Sequence, residues 1–262
     1  MIRLHIVGCP RSGTTLMMEL LTTCFESDGF CGHEMSLFEE PDGAPKLFFS
    51  KQPSDIKYIH TAFVKDPNLF VLYMVRDPRS VITSVHRSRP DDYFCNFRAW
   101  QTCAQAAEPF FDHPRFFKVR YEDLVSEPDN IQKRLMQQFG FLEKTCNFSE
   151  YQKVARPSGD SLTAMGGLRA VDESRIAGWR AHLPRLKAEL EKCPEITQAV
   201  IQNGYELDHK WTDILNDVDA VDFPCRYPDK EFILKTLETR FRKWRASQKY
   251  LARREKSAQT GR

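Results

Sequence analysis

Residues 2–15 read Ile2-Arg3-Leu4-His5-Ile6-Val7-Gly8-Cys9-Pro10-Arg11-Ser12-Gly13-Thr14-Thr15. The first part of this stretch, through Val7, is a short, mostly apolar run that predicts a β-strand. A turn enclosed by two glycines follows, and Thr14 to Cys24 then carries apolar residues at helical spacing. Backbone N–H groups at the start of such a helix form a cradle for a phosphate. The sequence therefore predicts a strand, a phosphate-binding loop and a helix, in that order.

The charge of this loop differs from that of the common nucleotide-hydrolase loop. The spacing matches that motif from Gly8 to Gly13, but Thr14 stands where the motif requires Lys. Arg11 supplies the positive charge instead, and its planar guanidinium suits a phosphate bound by two hydrogen bonds. The missing Lys disfavours an ATP- or GTP-hydrolysing motor. A Mg²⁺-dependent P-loop kinase and a non-catalytic nucleotide-binding protein remain as alternatives.

The composition is that of an ordinary folded protein. Of 262 residues, 41% are hydrophobic and 28% are charged, and the net charge of +2 argues against nucleic acid as a partner. Eight scattered cysteines include no CxxC pair, so we expect no metal site. We also expect a soluble, cytoplasmic protein, because no signal-peptide pattern and no membrane-length apolar run is present, unless an N-terminal anchor is missing.

Strand and helix patterns alternate through the first half of the chain. Strands are predicted at Gly29–Cys31, Thr61–Lys65, Leu69–Val75 and Arg115–Arg120, and helices at 78–87, 93–111 and 126–140. The stretch 39–53 lacks periodicity and is predicted to be a long surface loop. The alternation predicts an α/β fold of the P-loop type, in three layers, with a central, mostly parallel sheet flanked by helices. Ligands bind at the carboxyl ends of the strands in such folds.

We predict a single domain over residues 1–262. Residues 1–150 form the nucleotide-binding α/β core, and residues 151–262 form a helical and loop cap that ends in a basic C-terminal helix. The tail from Arg240 to Arg262 is rich in Lys and Arg with interleaved aromatic residues. A solvated helix is the favoured interpretation, and weak contact with an anionic membrane surface is the alternative. No oligomeric state follows from the sequence.

The loop Pro10-Arg-Ser-Gly-Thr-Thr15 resembles the 5′-phosphosulfate loop of the sulfotransferases that use 3′-phosphoadenosine 5′-phosphosulfate (PAPS). Tyr73-Met-Val-Arg-Asp-Pro-Arg-Ser-Val-Ile-Thr-Ser84 resembles their second signature, in which an Arg at a strand end and a Ser eight residues later bind the 3′-phosphate. The resemblance implies PAPS as the cofactor, with these residues binding it: Arg11, Ser12, Gly13, Thr14, Thr15, Arg76 and Ser84. Independently, Arg76 follows a predicted strand and Ser84 falls about two turns into the predicted next helix, so both can face one crevice.

Two further segments resemble the family more loosely. Arg120-Tyr121-Glu-Asp-Leu124 is similar to a strand end of the family, and Ser174-Arg-Ile-Ala-Gly-Trp179-Arg180 is similar to its late cofactor loop. The resemblance implies cofactor contacts for Tyr121, Trp179 and Arg180. A role in the hydrophobic core is the alternative for each of the two aromatic residues.

The catalytic residues are also predicted by resemblance. Cys31-Gly32-His33-Glu34 resembles the C-G-E-E segment of tyrosylprotein sulfotransferases, which implies Glu34 as the base. His33 replaces the first carboxylate and stays as the alternative base, because imidazole is well matched to proton transfer near neutral pH. Lys65-Asp-Pro67 resembles the element whose Lys contacts the bridging oxygen of the cofactor.

These segments are closer to the tyrosylprotein and carbohydrate sulfotransferases than to the cytosolic phenol and steroid enzymes. They imply in-line transfer of a sulfuryl group to an acceptor hydroxyl, with no metal. The expected acceptor is a carbohydrate or glycoconjugate. A peptide tyrosine and a specialised metabolite are the alternatives.

Overall fold

A computed structural model of the protein describes residues 1–86, 89–168, 170–226 and 233–260. The strands are β1 (Ile2–Gly8), β2 (Gly29–Phe30), β3 (Leu47–Lys51), β4 (Leu69–Val75), β5 (Val85–His86), β6 (Arg89–Tyr93) and β7 (Phe116–Arg120). The helices are α1 (Thr14–Cys24), α2 (His60–Lys65), α3 (Pro78–Ile82), α4 (Phe97–Ala107), α5 (Tyr121–Ser126), α6 (Pro128–Gln138), α7 (Tyr151–Val154), α8 (Gly159–Met165), α9 (Leu183–Lys192), α10 (Glu195–Gln202) and α11 (Ile233–Thr260). Helices α1, α4, α5 and α6 pack against the sheet. Helices α7 to α11 come after β7, the last strand in the sequence.

Five strands form one sheet in the order β2-β3-β1-β4-β7. Each pairing within it is parallel, and β1 lies in the middle, between β3 and β4. Parallel strands need crossover connections, so their carboxyl ends all meet at one edge of the sheet. The predicted α/β fold with a mostly parallel central sheet is confirmed.

Two layers of apolar side chains cover the two faces of the sheet. Successive side chains of a strand point to opposite faces. In β4, Val71 and Tyr73 therefore pack in the layer that contains Trp100 of α4, whereas Leu72 packs in the layer that contains Leu20 of α1. Each of these five side chains is at most 4% exposed. The sheet is covered on both sides, which explains why its strands carry long apolar runs.

Strand β3 lies inside the stretch that the sequence analysis assigned to a surface loop, so that assignment was wrong. Phe48 and Phe49 are 5% and 0% exposed, and the strand pairs with β1 on one side and β2 on the other. Its apolar run is only three residues long, too short to show a period. Pairing with its neighbours makes it a strand, and Lys51 consequently reaches the carboxyl edge of the sheet.

Two other local predictions were wrong. Thr61–Lys65 was expected to be a strand but belongs to helix α2, which buries Ala62 and Phe63. The helix expected from Pro78 to about Arg87 ends at Ile82. The antiparallel pair β5 and β6 follows, and Arg87 lies outside the described residues. These segments are short, and packing against the sheet outweighs their weak local preference.

Helix α11 has one face packed on the core, so the basic tail is only partly solvated. Tyr250 is fully buried, and its hydroxyl donates a 2.5 Å hydrogen bond to Asp66. Arg254 binds the same carboxylate at 2.8 Å. These contacts attach the helix near the amino end of β4. Within the described part of the chain, every helix is too short or too polar to cross a membrane.

A buried carboxylate connects α11 to the sheet. Asp55 is 0% exposed, accepts the Leu37 N–H at 2.7 Å, and lies 2.7 Å from the Lys243 ammonium and 3.6 Å from His5 Nε2. Burial opposes ionisation of Asp55, but the nearby His5 imidazole and the Lys243 ammonium outweigh it and lower the pKa of this carboxyl. For His5, burial disfavours the protonated, charged imidazole and therefore lowers its pKa.

We expect Asp55→Asn to lower the free energy of unfolding by about 3 kcal/mol at pH 7, because the variant leaves Lys243 without its charged partner. In the native protein the pKa of Asp55 lies below its unfolded value of 3.8, so its contribution is present above that pH and is lost as the pH falls further. The difference in the free energy of unfolding between the native protein and Asp55→Asn should therefore become smaller towards pH 3. Urea unfolding at pH 7 and pH 3 measures it.

The matched control is Asp42→Asn, in an exposed loop, which should change the stability by less than about 0.5 kcal/mol. An equal difference between native protein and Asp55→Asn at both pH values would contradict the assigned role of the buried carboxylate.

Candidate functional site

The loop between β1 and α1 is shaped by close backbone contacts. A Cβ atom on Gly8 would lie 2.5 Å from the Met74 carbonyl oxygen of β4, so only glycine fits there. Gly13 has φ 95°, and a Cβ on it would lie 2.5 Å from Cδ2 of Tyr121. Arg11, between them, also has a positive φ of 75°. Such a backbone is strained for a non-glycine residue and is found where the surrounding structure imposes it, often at ligand sites.

Arg11 connects the loop to two other segments. Its Nε donates a 2.7 Å hydrogen bond to the Ser84 hydroxyl, and its carbonyl oxygen accepts a 3.3 Å hydrogen bond from Arg76. The structure thus brings together three residues that the sequence analysis assigned to the cofactor. Ser84 was expected in a helix, but α3 ends before it. The turn that follows α3 nevertheless places the Ser84 hydroxyl within hydrogen-bond distance of Arg11.

Arg76 follows the carboxyl end of β4 and faces a cleft. Its guanidinium lies 4.2 Å from the ring centre of Tyr121, and Nη2 donates a 2.8 Å hydrogen bond to the Arg175 carbonyl. Its Nε is buried and has no hydrogen-bond partner among the described residues. A buried donor without a partner is costly, and an anionic ligand would satisfy it.

The first cleft combines this cationic side with an apolar side. Its predicted lining residues are Arg11, Gly13, Thr14, Thr15, Arg76 and Tyr121. Apolar and aromatic residues that the sequence analysis did not single out complete it, among them Leu16, Val125, Tyr151, Met165 and Val171. They come from α1, α5, α7, α8 and the segment after α8, and no local pattern groups them. Phosphates at the loop and a flat ring against the apolar side would fit, so these residues suit a phosphorylated nucleotide.

The second cleft adjoins the first at the same loop, and its volume is about 620 Å³. It shares four lining residues with the first cleft, namely Arg11, Thr14, Thr15 and Ala164. Both predicted base candidates line it, as do other polar side chains and one aromatic ring: His33, Glu34, Gln52, Ser54, Asp160, Thr163, Arg226 and Phe94. Two clefts that meet at a phosphate-type loop can bind two molecules for transfer of a group between them.

The two base candidates have different surroundings. Glu34 is 39% exposed, and its carboxylate lies 3.6 Å from the ammonium of Lys51. His33 is half-buried, and its Nδ1 has no hydrogen-bond partner among the described residues. Both side chains therefore have access to a molecule in the second cleft. The described part of the chain holds no group of three or more His, Cys, Asp or Glu side chains that could bind a metal ion.

Lys51 is not among the lining residues of either cleft but contacts Thr15 and Glu34, which are, and sequence reasoning did not single it out. It ends β3, is 1% exposed, and donates a 3.0 Å hydrogen bond to the Thr15 hydroxyl while it pairs with Glu34. Burial lowers the pKa of Lys51, and the Glu34 carboxylate opposes that shift. The only sequence signal was a Lys directly after Leu47-Phe-Phe-Ser50, which becomes informative once this run is recognised as a strand.

Lys65 lies away from both clefts, contrary to expectation. It is exposed at the end of α2 and precedes β4, whereas the clefts lie beyond the carboxyl end of that strand. A seven-residue strand spans about 20 Å, which separates Lys65 from the loop. The motif was assigned to a strand end, but the segment is helical and reaches the opposite edge of the sheet.

Four predicted cofactor residues are not among the lining residues of the first cleft, namely Ser12, Ser84, Trp179 and Arg180. Trp179 is 3% exposed and packs against the guanidinium of Arg79 at 4.3 Å, so it belongs to the core. Arg180 is exposed, and its guanidinium lies 4.6 Å from the ring centre of this indole. Ser12 is fully buried beneath the loop, and its N–H donates to the Cys9 carbonyl. In place of the expected tryptophan and arginine, the segment 170–175 borders the cleft.

The model of the Sulfotransferase family matches residues 35–142, which is less than half of the chain. A search of curated proteins finds no match.

Some solved structures are similar to this chain. A sulfotransferase domain from the curacin biosynthetic pathway is 17% identical, with a TM-score of 0.49, and the similarity covers 68% of this chain and 89% of that chain. Mouse sulfotransferase SULT7A1 complexed with PAP is 13% identical, with a TM-score of 0.49, covering 78% of this chain and 86% of that chain.

We expect Gly13→Ala to lower the free energy of unfolding by about 3 kcal/mol, because the new Cβ both clashes with Tyr121 and requires a left-handed backbone. Gly43→Ala is the matched control. Gly43 also has a positive φ, of 74°, but no atom lies within 4 Å of its added Cβ, so only the backbone penalty of about 1 kcal/mol applies. Urea unfolding of both variants measures the difference, and equal losses would show that the contact with Tyr121 is unimportant.

Proposed function

We propose that this protein transfers a sulfuryl group from PAPS to the hydroxyl of an acceptor and releases adenosine 3′,5′-bisphosphate. The observation that carries the proposal is the meeting of two clefts at Arg11, Thr14 and Thr15, with cations on one side and base candidates on the other. The match of the Sulfotransferase family model over residues 35–142 supports sulfuryl transfer.

The first cleft would bind the nucleotide part of PAPS. Backbone N–H groups of the loop, with Arg11, would bind the 5′-phosphosulfate. Arg76, whose Nε lacks a partner among the described residues, would bind the 3′-phosphate together with Ser84, whose hydroxyl accepts a hydrogen bond from Arg11. The apolar side of the cleft would bind adenine. A nucleotide that carries phosphate on both its 3′ and 5′ positions would thus find a cation for each.

The second cleft would bind the acceptor, with its reacting hydroxyl near Glu34. As the acceptor oxygen forms a bond to sulfur, the proton of the hydroxyl passes to the Glu34 carboxylate. The bond between sulfur and the bridging oxygen breaks, and that oxygen leaves on the 5′-phosphate with the electron pair. Negative charge grows on the leaving phosphate, where nearby cations are most effective. His33 remains the alternative base.

Lys51 would perform two tasks in this reaction. Its ammonium would orient both Thr15, which lines both clefts, and Glu34, which lines the second. The Lys51 side chain is 1% exposed, so solvent screens its positive charge only weakly. That charge would also stabilise the negative charge that develops on the leaving phosphate. This is the role that the sequence analysis assigned to Lys65.

A carbohydrate or glycoconjugate is the acceptor that we propose. Most side chains around the second cleft are charged, hydroxyl-bearing or amide-bearing, and Phe94 offers one aromatic ring. Many polar groups with one ring suit a sugar, which presents several hydroxyls and one apolar face. A screen that finds peptide tyrosine as the better acceptor would overturn this part of the proposal and leave sulfuryl transfer intact.

Calorimetric titration with adenosine 3′,5′-bisphosphate tests the nucleotide site. We expect binding without metal, and Arg76→Ala should weaken it at least tenfold, or about 1.4 kcal/mol, by removing a charge-assisted contact. Arg180→Ala is the matched control, because this exposed arginine does not line the cleft and its loss should leave the affinity unchanged. Preferred binding of ATP with Mg²⁺ would favour a kinase, and binding without turnover of any acceptor would favour a non-catalytic protein.

We expect Glu34→Gln to lower kcat by about a hundredfold or more, because the amide cannot accept the proton of the acceptor. The affinity for adenosine 3′,5′-bisphosphate should change less than about twofold, since Glu34 faces the second cleft. Steady-state kinetics and calorimetry give the two values. If Glu34→Gln keeps full activity and His33→Gln does not, the base is His33.

Lysine replacements distinguish the two cation assignments. Lys51→Met should lower kcat about a hundredfold through loss of charge at the leaving phosphate, with a smaller effect on KM. Lys65→Met should leave both constants unchanged, because Lys65 lies at the other edge of the sheet. Steady-state kinetics of the two variants decides the question, and the opposite pattern would restore Lys65 to the site.

A further inference from the structure

The C-terminal helix α11 has two dissimilar faces. One face is packed on the core through Ser247 and Tyr250, which are 3% and 0% exposed. The other face carries three large apolar side chains that remain open to solvent: Leu237 and Trp244 at 55% exposure each, and Phe241 at 59%. At spacings of four and three residues they form one stripe along the helix. The packed face accounts for the fold, and this stripe does not.

The stripe is an ordered aromatic surface. The rings of Phe241 and Trp244 are stacked, with centres 5.8 Å apart and an interplanar angle of 26°. The guanidinium of Arg245 lies 6.0 Å from the ring centre of Phe241. Exposed apolar residues that are clustered, unlike those that are scattered singly, mark a surface that contacts something.

Positive charge borders the stripe. Four exposed basic residues lie in the same part of the helix, namely Arg240, Arg242, Arg245 and Lys249, and Glu238 is the one acidic residue between Leu237 and Lys249. Within the described part of the chain, none of the four is found in an ion pair, whereas Lys243 is occupied by Asp55. On a helical wheel Arg240 and Arg245 flank the aromatic stripe on its two sides. The unsatisfied charge of this face is therefore strongly positive.

We propose that this face of α11 is a docking surface for an anionic lipid membrane. A helix that lies in the membrane interface buries an apolar stripe that contains Trp or Phe, and its flanking Lys and Arg contact lipid phosphates. The charge complementarity favours an anionic lipid surface over a second copy of this chain, because two such faces would repel each other. The surface is distinct from both clefts and does not depend on the proposed reaction.

The packed face of α11 makes this docking compatible with the fold. The contacts of Lys243 with Asp55, and of Tyr250 and Arg254 with Asp66, attach the helix to the domain without using the stripe. The helix would therefore bind lipid while it stays folded on the core. Asp55, which pairs with Lys243 of the helix, directly follows Ser54 in sequence, and Ser54 lines the second cleft. The helix is therefore attached close to that cleft.

Sedimentation of the full chain with lipid vesicles tests the proposal. We expect binding to phosphatidylcholine vesicles that contain about 30% phosphatidylserine, little binding to phosphatidylcholine alone, and release in high salt. The double variant Phe241→Ser, Trp244→Ser should weaken binding about tenfold or more, and each of Arg240→Gln and Arg245→Gln about fivefold.

Two matched controls use exposed residues elsewhere. Leu207→Ser removes a side chain that is 99% exposed, and Lys210→Gln removes a basic residue that is 85% exposed, so neither should change vesicle binding. All replaced side chains are exposed, and an unchanged circular dichroism spectrum verifies the fold. No binding to the anionic vesicles, or binding that the double aromatic variant retains, would overturn the proposal. A dimer in light scattering that the same variant abolishes, without vesicle binding, would assign the face to self-association and also overturn it.

Discussion

Parallel pairing of β1 with β3 on one side and β4 on the other is the constraint on which the remaining structure depends. The three strands run in one direction, so their carboxyl ends meet at one edge, and each delivers a charged residue there. The loop after β1 supplies Arg11, β3 ends at Lys51, and Arg76 follows β4. The close approach of Gly8 to the Met74 carbonyl shows how tightly the loop is bound to the neighbouring strand. Arg11, three residues further on, contacts both Ser84 and Arg76.

The cations around the loop are arranged to receive negative charge. Hydrogen bonds from Arg76 go to the carbonyl oxygens of Arg11 and Arg175, which orient the guanidinium but leave its charge intact. Lys51 is nearly fully buried and has Glu34 as a partner at 3.6 Å, a longer separation than in a close ion pair. Positioning these groups before any ligand arrives reduces the reorganisation that binding and group transfer would require. The loop therefore combines rigid geometry with a positive potential.

Sequence reasoning could predict those parts of the site that are contiguous in the chain. Arg11, Thr14 and Thr15 belong to one loop, and Arg76 directly follows a strand with a strong apolar run. Lys51 and Lys65 show where such reasoning fails. The first ends a strand whose short apolar run carries no period, and the second belongs to a six-residue helix. A six-residue segment has too little local preference to decide between helix and strand, so its direction and the edge that it reaches depend on packing.

The amino-acid order alone was enough to establish the strand, loop and helix at the amino end, the parallel α/β architecture and the arginine within the phosphate-type loop, because each depends on local periodicity and on the special geometry of glycine. Tertiary structure decided which side chains share a cleft. Val125, Tyr151 and Val171 come from distant segments and line one cleft. Trp179 matched a motif, but it is buried in the core and packs against Arg79. The physical reason is that a cleft forms where elements that are far apart in the sequence lie side by side without packing tightly against each other. That outcome is set by how the helices pack on the sheet, and no local pattern of residues encodes it.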